Sequence, residues 1–251
     1  MQSKFGAITF SSESENQNEM ELVDLLQNCP IPDDEILANL GLFLTSKSLS
    51  RILFMNHIYS LIINTPGIVV EFGTRWGQNM ALFSALRGIY DPFNRHRKLI
   101  AFDTFNGFPS VSSFDGNSKL IKEGNLSVPD AYEEYLERIL QCHENSNPLG
   151  HIKKFEIMKG DAPLEFYTYL ENHPETIIAL AYFDFDIYEP TALCLNVIKP
   201  YLTKGSILAF DELNDPDSPG ETIALKEVFP LETIRLQRFP YTSRVSYFVV
   251  E

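Results

Sequence analysis

The sequence predicts an α/β fold built on a mostly parallel sheet, and three features of the chain lead to that prediction. After Pro66, short strand-like runs alternate with helix-like runs of about 10 to 15 residues, which is typical of βαβ units. The last two strand-like runs, 233–239 and 246–251, lie too close together for a full helix between them, so we expect a hairpin with one antiparallel edge strand. Before Pro66 the pattern is helical.

The strand-like runs are short and rich in β-branched and aromatic residues. In order they are GIVVEF (67–72), KLIAFD (98–103), HIKKFEIMKG (151–160), TIIALAYFDFD (176–186), GSILAFDE (205–212), TIRLQRF (233–239) and SYFVVE (246–251). The helix-like runs between them are WGQNMALFSALRGIY (76–90), DAYEEYLERILQC (130–142), PLEFYTYLEN (163–172), PTALCLNVIKPYL (190–202) and ETIALKEVF (221–229). The connection 104–128 is long and rich in Gly, Ser and Asn, and such a loop in a compact domain is usually functional or mobile.

The chain before the sheet has a different character. Residues 1–18 are polar and rich in Ser, Asn and Glu, so we expect a loosely held arm there. From Glu19 to Asn64 the apolar residues recur at helical spacing, as in MELVDLLQNC (20–29). We therefore expect two parts: an N-terminal arm and helical layer, residues 1–64, and a Rossmann-like cofactor-binding domain, residues 65–251.

Composition excludes several classes of protein. The 20 basic and 34 acidic residues give a net charge of −14, which disfavours a nucleic-acid partner. Cys29, Cys142 and Cys194 form neither a CxxC pair nor a metal-ligand spacing, so we expect reduced thiols. We see no basic-then-apolar leader and no run of about 18 apolar residues that could span a membrane. A soluble, cytoplasmic protein with no membrane partner is expected.

The stretch GIVVEFGTRWGQNM, 67–80, is the first candidate binding site. Ligands of open α/β sheets bind at the carboxyl ends of the strands, and here Glu71, Gly73 and Gly77 follow a buried strand. The pattern E-x-G-x-x-x-G differs from the G-x-G-x-x-G of nicotinamide enzymes, because a carboxylate beside the turn would repel a pyrophosphate. A ligand with a cationic part suits it, and S-adenosylmethionine has a sulfonium, an ammonium and no phosphate. The alternative is a buried glutamate paired with a base on a turn that serves packing alone.

Two further acids follow the next strands. Asp103 ends the second strand, where a carboxylate can accept hydrogen bonds from both ribose hydroxyls of an adenosine. Asp161 follows the third strand, and there it can cap the next helix or face an adenine amino group; we expect the capping role, and the two roles are compatible.

Acidic residues are concentrated after the fourth and fifth strands. Asp184, Asp186 and Glu189 follow one strand, and Asp211 and Glu212 follow the other. Gathered at one edge these carboxylates would repel, and a divalent cation such as Mg²⁺ or Ca²⁺ would resolve that repulsion. Because side chains alternate along a strand, we expect only one of the first two aspartates to face the site. Asp184 and Asp211 are the first candidate ligands, with Glu212 third, and Asp186 is expected to be a cap or loop residue.

Four other side chains are expected to have structural roles. Trp76 is expected to pack at the start of its helix or to line the cofactor pocket, and His57 to be a core or interface residue. Tyr188 could reach the pocket, although we do not expect it to. Glu221 stands where a helix begins, so it is expected to be an N-terminal acid of that helix.

Taken together, these segments resemble the macrocin O-methyltransferase family. The resemblance is carried, in this order, by residues 54–86, by LIAFDTFNGFP, by GDA, by YFDFDIYEPT and by GSILAFDELN, and it covers roughly residues 50 to 250. Members of this family are class I, S-adenosylmethionine-dependent, metal-dependent enzymes that methylate sugar hydroxyls of natural-product glycosides. The resemblance implies a seven-stranded sheet with an antiparallel last strand, and it implies a homo-oligomer.

The resemblance also assigns roles to residues. The cofactor-binding residues that it implies are Glu71, Gly73, Thr74, Arg75 and Gly77 for the methionine part, Asp103, Thr104 and Phe105 near the ribose, and Asp161 with Ala162 at the adenine. The metal ligands would be Asp184, Asp211 and Glu212, with Asp184 also the general base. Many members carry two aspartates where this chain has Asp211-Glu212, which leaves room for a weakened or absent metal requirement.

The function expected is therefore S-adenosylmethionine-dependent O-methylation of a sugar or glycoside hydroxyl. Two alternative functions are possible for the same fold. One is a relative of the cephalosporin hydroxylase group, which would need iron, yet no histidine ligands lie near the acids. The other is a binding protein that kept the fold and lost its chemistry; an intact acid cluster argues against it, since unpaired buried carboxylates cost stability.

Overall fold

A computed structural model of the protein describes residues 11–251 and confirms the Rossmann-like fold. Its seven strands are β1 Ile68–Phe72, β2 Leu99–Asp103, β3 Phe155–Lys159, β4 Ile178–Phe183, β5 Leu202–Phe210, β6 Gln237–Arg238 and β7 Ser246–Val249. Its α-helices are α1 Glu13–Gln27, α2 Asp33–Ile36, α3 Ser46–Leu61, α4 Gln78–Tyr90, α5 Tyr132–Ser146, α6 Ala162–Asn172, α7 Tyr188–Ile198 and α8 Gly220–Val228. Within residues 11–251, no helix is long and apolar enough to cross a membrane.

The strand order is β3-β2-β1-β4-β5-β7-β6. The chain therefore adds β2 and β3 on one side of β1, and then adds the remaining strands on the other side. β1 pairs in parallel with β2 and β4, and β4 pairs in parallel with β5. In register, Phe72 of β1 lies beside Phe183 of β4, which lies beside Phe210 of β5. The residues that follow these three phenylalanines therefore leave the sheet at one edge, next to the point where the strand order reverses.

The expected hairpin is confirmed, with one adjustment to its position. β7 is antiparallel to both β5 and β6, and it lies between them. The edge is formed by β6, which has only two residues, so the antiparallel strand is covered on both sides. A very short edge strand leaves few unpaired backbone groups open to another sheet.

Helices cover both faces of the sheet, and side chains alternate between the two cores. Val69 points into a core shared with α3, α4 and α5, whereas Val70 and Phe72 point into the core under α6, α7 and α8. All five residues of β1 are buried, as expected for a central parallel strand covered on both faces. That burial includes Glu71, the acid before the turn.

The N-terminal helices begin earlier than the sequence suggests. α1 starts at Glu13, within the stretch expected as a loose arm, because Ser12 and Glu15 form a reciprocal capping box. Residues 1–10 of that expected arm lie outside the described residues. α1 has no buried residue, whereas α3 packs a buried face that includes Phe54 and Ile58 against the sheet. The division of the chain at residue 64 stays a prediction.

A buried ion group joins α4, α5 and β3. The Arg87 guanidinium donates to both oxygens of Glu144, at 2.8 and 2.7 Å, and to the carbonyl oxygen of Lys154 at 2.8 Å. The Lys154 ammonium lies 2.5 Å from the same carboxylate, whose side chain is fully buried. Because each charge is paired and hydrogen-bonded, the three side chains can be buried without a large loss of stability. Removal of any one of them would leave an unpaired buried charge.

We expect Glu144→Ala to lower the free energy of unfolding by about 3–5 kcal/mol, because it leaves two buried cations unpaired. The matched control is Glu137→Ala, which removes an exposed carboxylate paired with Lys153 and should cost at most about 1 kcal/mol. Urea unfolding of the two variants measures both values. Equal losses would show that the Arg87–Glu144 pair is no more important to folding than a surface pair.

The turn after β1 brings two strand ends into contact through Gly73. Its φ of +87° lies in the left-handed region, and a Cβ there would overlap the carbonyl oxygen of Asp184. Asp184 is held against the turn because its N–H donates to the carbonyl oxygen of Phe72 at 2.8 Å. Glycine at 73 is thus required by close backbone approach as well as by dihedral angle.

Gly73→Ala should destabilise the protein by at least about 3 kcal/mol, since it adds steric overlap to an unfavourable φ. Gly124→Ala is the control, because Gly124 has a similar φ of +77° but open space around its Cα. That variant should lose only the dihedral contribution, about 1–2 kcal/mol. The comparison is made by thermal or urea unfolding, and equal losses would refute the close-approach argument.

Candidate active site at the carboxyl ends of the strands

A cavity of about 510 Å³ opens at the edge where β1, β2, β4 and β5 end. Three groups of residues line it. The turns after β1, β2 and β3 contribute Gly73, Thr74, Arg75, Trp76, Gln78, Asn79, Asp103, Thr104, Asp161 and Ala162. The ends of β4 and β5 contribute Asp184, Phe185, Asp186, Asp211 and Glu212, and the loop after β2 contributes Gly107, Phe108, Pro109, Leu120 and Leu126. Arg51 of α3 and Ile187 and Pro190 beside α7 complete the wall.

Glu71 lies directly behind the cavity wall, fully buried. One of its carboxylate oxygens accepts a 2.8 Å hydrogen bond from the Asn79 amide, and Asn79 itself lines the cavity. The other oxygen, Oε2, and the Asn79 Oδ1 have no hydrogen-bond partner among residues 11–251. Burial raises the pKa of Glu71 to about 8. Buried acceptors without partners are costly, so this pair is suited to a cationic or hydrogen-donating ligand.

Asn79 is missing from the sequence-based candidates. It lies two residues after Gly77, in the first turn of α4, and a polar residue directly before the apolar run that starts at Met80 is the signal that could identify it.

Besides Glu71, which lies behind the wall, two of the predicted cofactor residues, Gly77 and Phe105, do not line the cavity. A Cβ at Gly77 would overlap Leu136 of α5, and its φ is +73°, so packing and the turn both require glycine there. Phe105 is buried in the core beneath, with its backbone N–H directed at Asp103. Any contribution of these two residues to ligand binding is indirect.

Asp103 is held in place by backbone donors. Its two oxygens accept hydrogen bonds from the N–H groups of Arg75, at 2.7 Å, and Phe105, at 2.5 Å. Both donors have positive φ, 47° and 58°, so the chain adopts a costly conformation on each side of the carboxylate. Burial raises the pKa of Asp103, and the N–H donors oppose that rise. A carboxylate fixed this way still has lone pairs for two further hydroxyl donors.

The capping role expected for Asp161 is wrong. Asp161 stands at the N-cap position of α6, but its side chain makes no capping hydrogen bond, and it lines the cavity with Ala162. Proline follows within the first turn of that helix, which reduces the number of N–H groups needing a cap. Thr104, also in the wall, instead stabilises its own loop, since its hydroxyl donates to the Gly107 carbonyl oxygen at 2.8 Å.

The expectation that only one of Asp184 and Asp186 faces the site is also wrong, since both line the cavity. β4 ends at Phe183, so the alternation of a strand no longer applies after it, and Asp186 adopts a left-handed φ of 63°. Burial together with the neighbouring charge of Asp211 raises the pKa of Asp184 well above its usual range. Burial and Glu212 do the same for the pKa of Asp186.

Glu221 holds the two strand ends together, which the sequence did not indicate. It is fully buried, and one oxygen accepts from the N–H groups of Phe185, at 2.9 Å, and Asp186, at 3.2 Å. The other accepts from the N–H of Glu212 at 3.3 Å. Glu221 thus joins the segments after β4 and β5 to the start of α8, a larger role than that of an N-terminal helix acid.

Arginines lie against the predicted metal ligands, within the cluster of acids. The Arg51 guanidinium lies 2.8 Å from Asp211 Oδ1 and 3.5 Å from Asp184 Oδ2. The Tyr182 hydroxyl donates to the same Asp211 oxygen at 2.5 Å. Arg244 pairs with Glu212 and, at 3.3 Å, with Asp215.

The carboxylate oxygens are chemically suitable for Mg²⁺, but their arrangement is not that of a metal site. No three histidine, cysteine, aspartate or glutamate side chains in the described part of the chain converge in a way that could hold a metal ion. The predicted ligands Asp184, Asp211 and Glu212 are held by cationic side chains instead.

The loop after β2 forms the outer wall and is well anchored. Asp115 is buried, and it accepts from the Ser112 N–H at 2.6 Å and from the Tyr188 N–H, at the start of α7, at 2.5 Å. Phe108 and Ile121 of the loop form a small buried cluster with Ile187. The apolar wall of the cavity is therefore fixed to the start of α7.

The remaining sequence candidates have these positions. Trp76 lines the cavity while 45% exposed, and its ring packs edge-on against Tyr132. The Tyr188 hydroxyl donates to Glu227 of α8, away from the cavity. His57 forms a hydrogen bond with the Tyr247 hydroxyl at 2.8 Å, and it does not line the cavity.

Comparison with known proteins identifies the family to which the chain belongs. Neither the models of known protein families nor the sequences of curated proteins include a match to the chain. Among solved structures, the crystal structure of CalS11, the calicheamicin methyltransferase, is similar with a TM-score of 0.94 and 40% identity, over 98% of this chain and 96% of that one. The apo structure of CalS11, described as a TDP-rhamnose 3′-O-methyltransferase of calicheamicin biosynthesis, gives 0.85 and 38% over 96% of both chains.

The O-methyltransferase NovP is similar in fold, with a TM-score of 0.58 and 20% identity over 80% of this chain and 79% of that one. The near-complete coverage and high identity to CalS11, together with a cavity at the strand ends suited to a partly cationic nucleoside, identify the chain as a member of the S-adenosylmethionine-dependent O-methyltransferase family to which CalS11 belongs.

Proposed function

We propose that the protein methylates a hydroxyl of a deoxysugar, carried on a nucleotide or on a natural product, with S-adenosylmethionine as methyl donor. The observation that carries this proposal is the juxtaposition of two half-sites in one cavity. Asp103 and Asn79 lie on one side, with Glu71 buried behind Asn79, and Asp184 lies on the other side beside apolar residues of the loop and of α7. CalS11 is described as acting on TDP-rhamnose, and a sugar of that class is the acceptor we propose here.

The cofactor half has the donors and acceptors that the nucleoside and amino-acid parts need. When bound, S-adenosylmethionine supplies a methyl group activated by its sulfonium. We propose that Glu71, through its unpaired oxygen and through Asn79, holds the cationic methionine part, and that Asp103 accepts the ribose hydroxyls. Gly73, Thr74 and Arg75 shape the turn between them, and Thr104 with Asp161 and Ala162 borders the adenine side.

The acceptor half has a base and an apolar wall. We propose that Asp184 accepts the proton of the reacting hydroxyl, because its raised pKa makes it a stronger base than an exposed aspartate. Phe108, Leu126 and Ile187 offer an apolar surface to the ring and to the methyl group of a deoxysugar. Glu221 keeps the backbone beside Asp184 in position.

Further parts of the proposal concern assembly and surroundings. We propose a homo-oligomer, supported by exposed apolar side chains on α1, a helix with no buried residue, such as Val23 and Leu25. The three separate, unpaired cysteines support a reducing compartment such as the cytoplasm, and the net charge of −14 supports the absence of a nucleic-acid partner. We also propose that a divalent cation binds at Asp184, Asp211 and Glu212 when these side chains separate from Arg51 and Arg244.

The first test is calorimetric titration with S-adenosylmethionine and with NAD, each with and without Mg²⁺. Micromolar binding of S-adenosylmethionine, with none for NAD, is the expected result. Incubation with TDP-rhamnose and other deoxysugar nucleotides then tests the acceptor by mass increase. If S-adenosylmethionine does not bind under any condition, Glu71 and the glycines serve packing alone and the proposed function is refuted.

Cofactor binding should strengthen as the pH rises toward the pKa of Glu71. That pKa is about 8 in the free protein, so the carboxyl is largely protonated below it, and a bound cation favours the charged form. Binding should therefore release a proton, and the affinity should rise roughly tenfold per pH unit below the pKa. Titration at several pH values, in buffers of different ionisation enthalpy, measures both effects.

Glu71→Gln should bind the cofactor more weakly and lose the pH slope, whereas Glu137→Gln, at an exposed position, should keep it. A slope that persists in Glu71→Gln would assign the titrating group to another residue.

Asp184→Asn should lower kcat by about 10²–10⁴-fold, because it removes the proposed base with little change in size. Cofactor affinity should stay close to that of the wild type. Glu212→Asp, which keeps the charge, should be mild by comparison. Initial rates with the identified acceptor measure these effects, and full turnover by Asp184→Asn would rule out this mechanism.

A further inference from the structure

Arg51 comes from the N-terminal helical layer, yet its guanidinium lies between the carboxylates of two strand ends. The two nitrogens Nη2 and Nη1 lie 2.8 Å from Asp211 and 3.5 Å from Asp184. The residue is 160 positions away from Asp211 in the chain, and it lines the cavity. A single positive group thus bridges the two side chains that the sequence marks as first candidates for a divalent cation.

A cation and this guanidinium cannot occupy the same gap. Mg²⁺ and Mn²⁺ need carboxylate oxygens within roughly 2.0–2.2 Å. One oxygen of each aspartate, Asp184 Oδ2 and Asp211 Oδ1, already faces Arg51. Two positive groups a few ångströms apart would also repel strongly in a partly buried site.

The rest of the cluster leaves one acceptor open. Glu212 is buried, lines the cavity and pairs with Arg244, but its second oxygen, Oε2, has no hydrogen-bond partner among residues 11–251. A buried carboxylate oxygen without a partner is costly, so a ligand that donates to it or coordinates it would relieve that cost. This oxygen is a separate indication that the cluster is incomplete as it stands.

We propose that Arg51 competes with a divalent cation for Asp184 and Asp211, so that α3 controls whether the cluster binds metal. The proposal rests on the proposed function only in placing these acids in the active site. The Arg51 side chain is 31% exposed, so part of it already faces solvent, the direction in which we propose it withdraws. With Arg51 withdrawn, Asp184 and Asp211 lose their shared cationic partner and can take a cation, while Glu212 stays paired with Arg244. With Arg51 in place, the guanidinium neutralises the two aspartates.

The test is Mn²⁺ binding, followed by the loss of free-ion signal in electron paramagnetic resonance, with full-length protein in the absence of acceptor. Arg51→Met keeps the length of the side chain and removes its charge, and it should bind Mn²⁺ at least tenfold more tightly than the wild type. Arg51→Lys keeps the charge but cannot bridge two carboxylates as a planar fork, and it should fall between the two. Arg138→Met, which removes an exposed arginine of α5, is the matched control and should equal the wild type.

The result is separated from the proposed function by titrating S-adenosylmethionine into each variant. Retained cofactor binding shows that the variant is folded, and its absence from all proteins would refute the proposed function without touching the Mn²⁺ comparison. Equal or weaker Mn²⁺ binding by folded Arg51→Met, or no Mn²⁺ binding by any of the proteins, would overturn the proposal. If Arg51→Met fails to fold, Arg51→Lys decides in the same way.

Discussion

Electrostatic repulsion among buried carboxylates is the constraint on which the rest of the site depends. Asp184, Asp186, Glu212 and Glu221 all lie at one edge of the sheet, and burial raises the pKa of each. The parallel register of β4 and β5 makes this convergence unavoidable once each strand is followed by acids. The protein offsets the repulsion with backbone donors to Glu221 and with the guanidinium groups of Arg51 and Arg244.

The arginines that balance these carboxylates come from distant parts of the chain. Arg51 belongs to a helix that precedes the first strand, and Arg244 belongs to the hairpin that ends the sheet. The charge balance of the site therefore depends on elements at both ends of the domain. A separate ion group around Glu144, away from the cavity, has every charge paired. The carboxylates beside the cavity, by contrast, outnumber the arginines that pair with them.

The sequence predicted the strands and the acids at their ends because those signals are local. An apolar run followed by Glu71 and Gly73 is visible within a few residues, and so is Asp103 at the end of β2. Arg51 could not be assigned in this way, because its partners lie more than 130 residues further along the chain and a single arginine in an apolar helix has many explanations. The position of Asp186 does not follow from strand alternation, because β4 ends at Phe183 and the alternation ends with it.

The loop between β2 and α5 has a consequence for how such an enzyme changes its preference. It supplies much of the apolar wall, yet it contributes no strand to the sheet and is fixed mainly through Asp115 and a cluster of Phe108, Ile121 and Ile187. The cofactor side, by contrast, is built by strand ends whose geometry the whole sheet determines. Exchange of this one connection can therefore give a new acceptor preference while the cofactor half of the cavity stays unchanged.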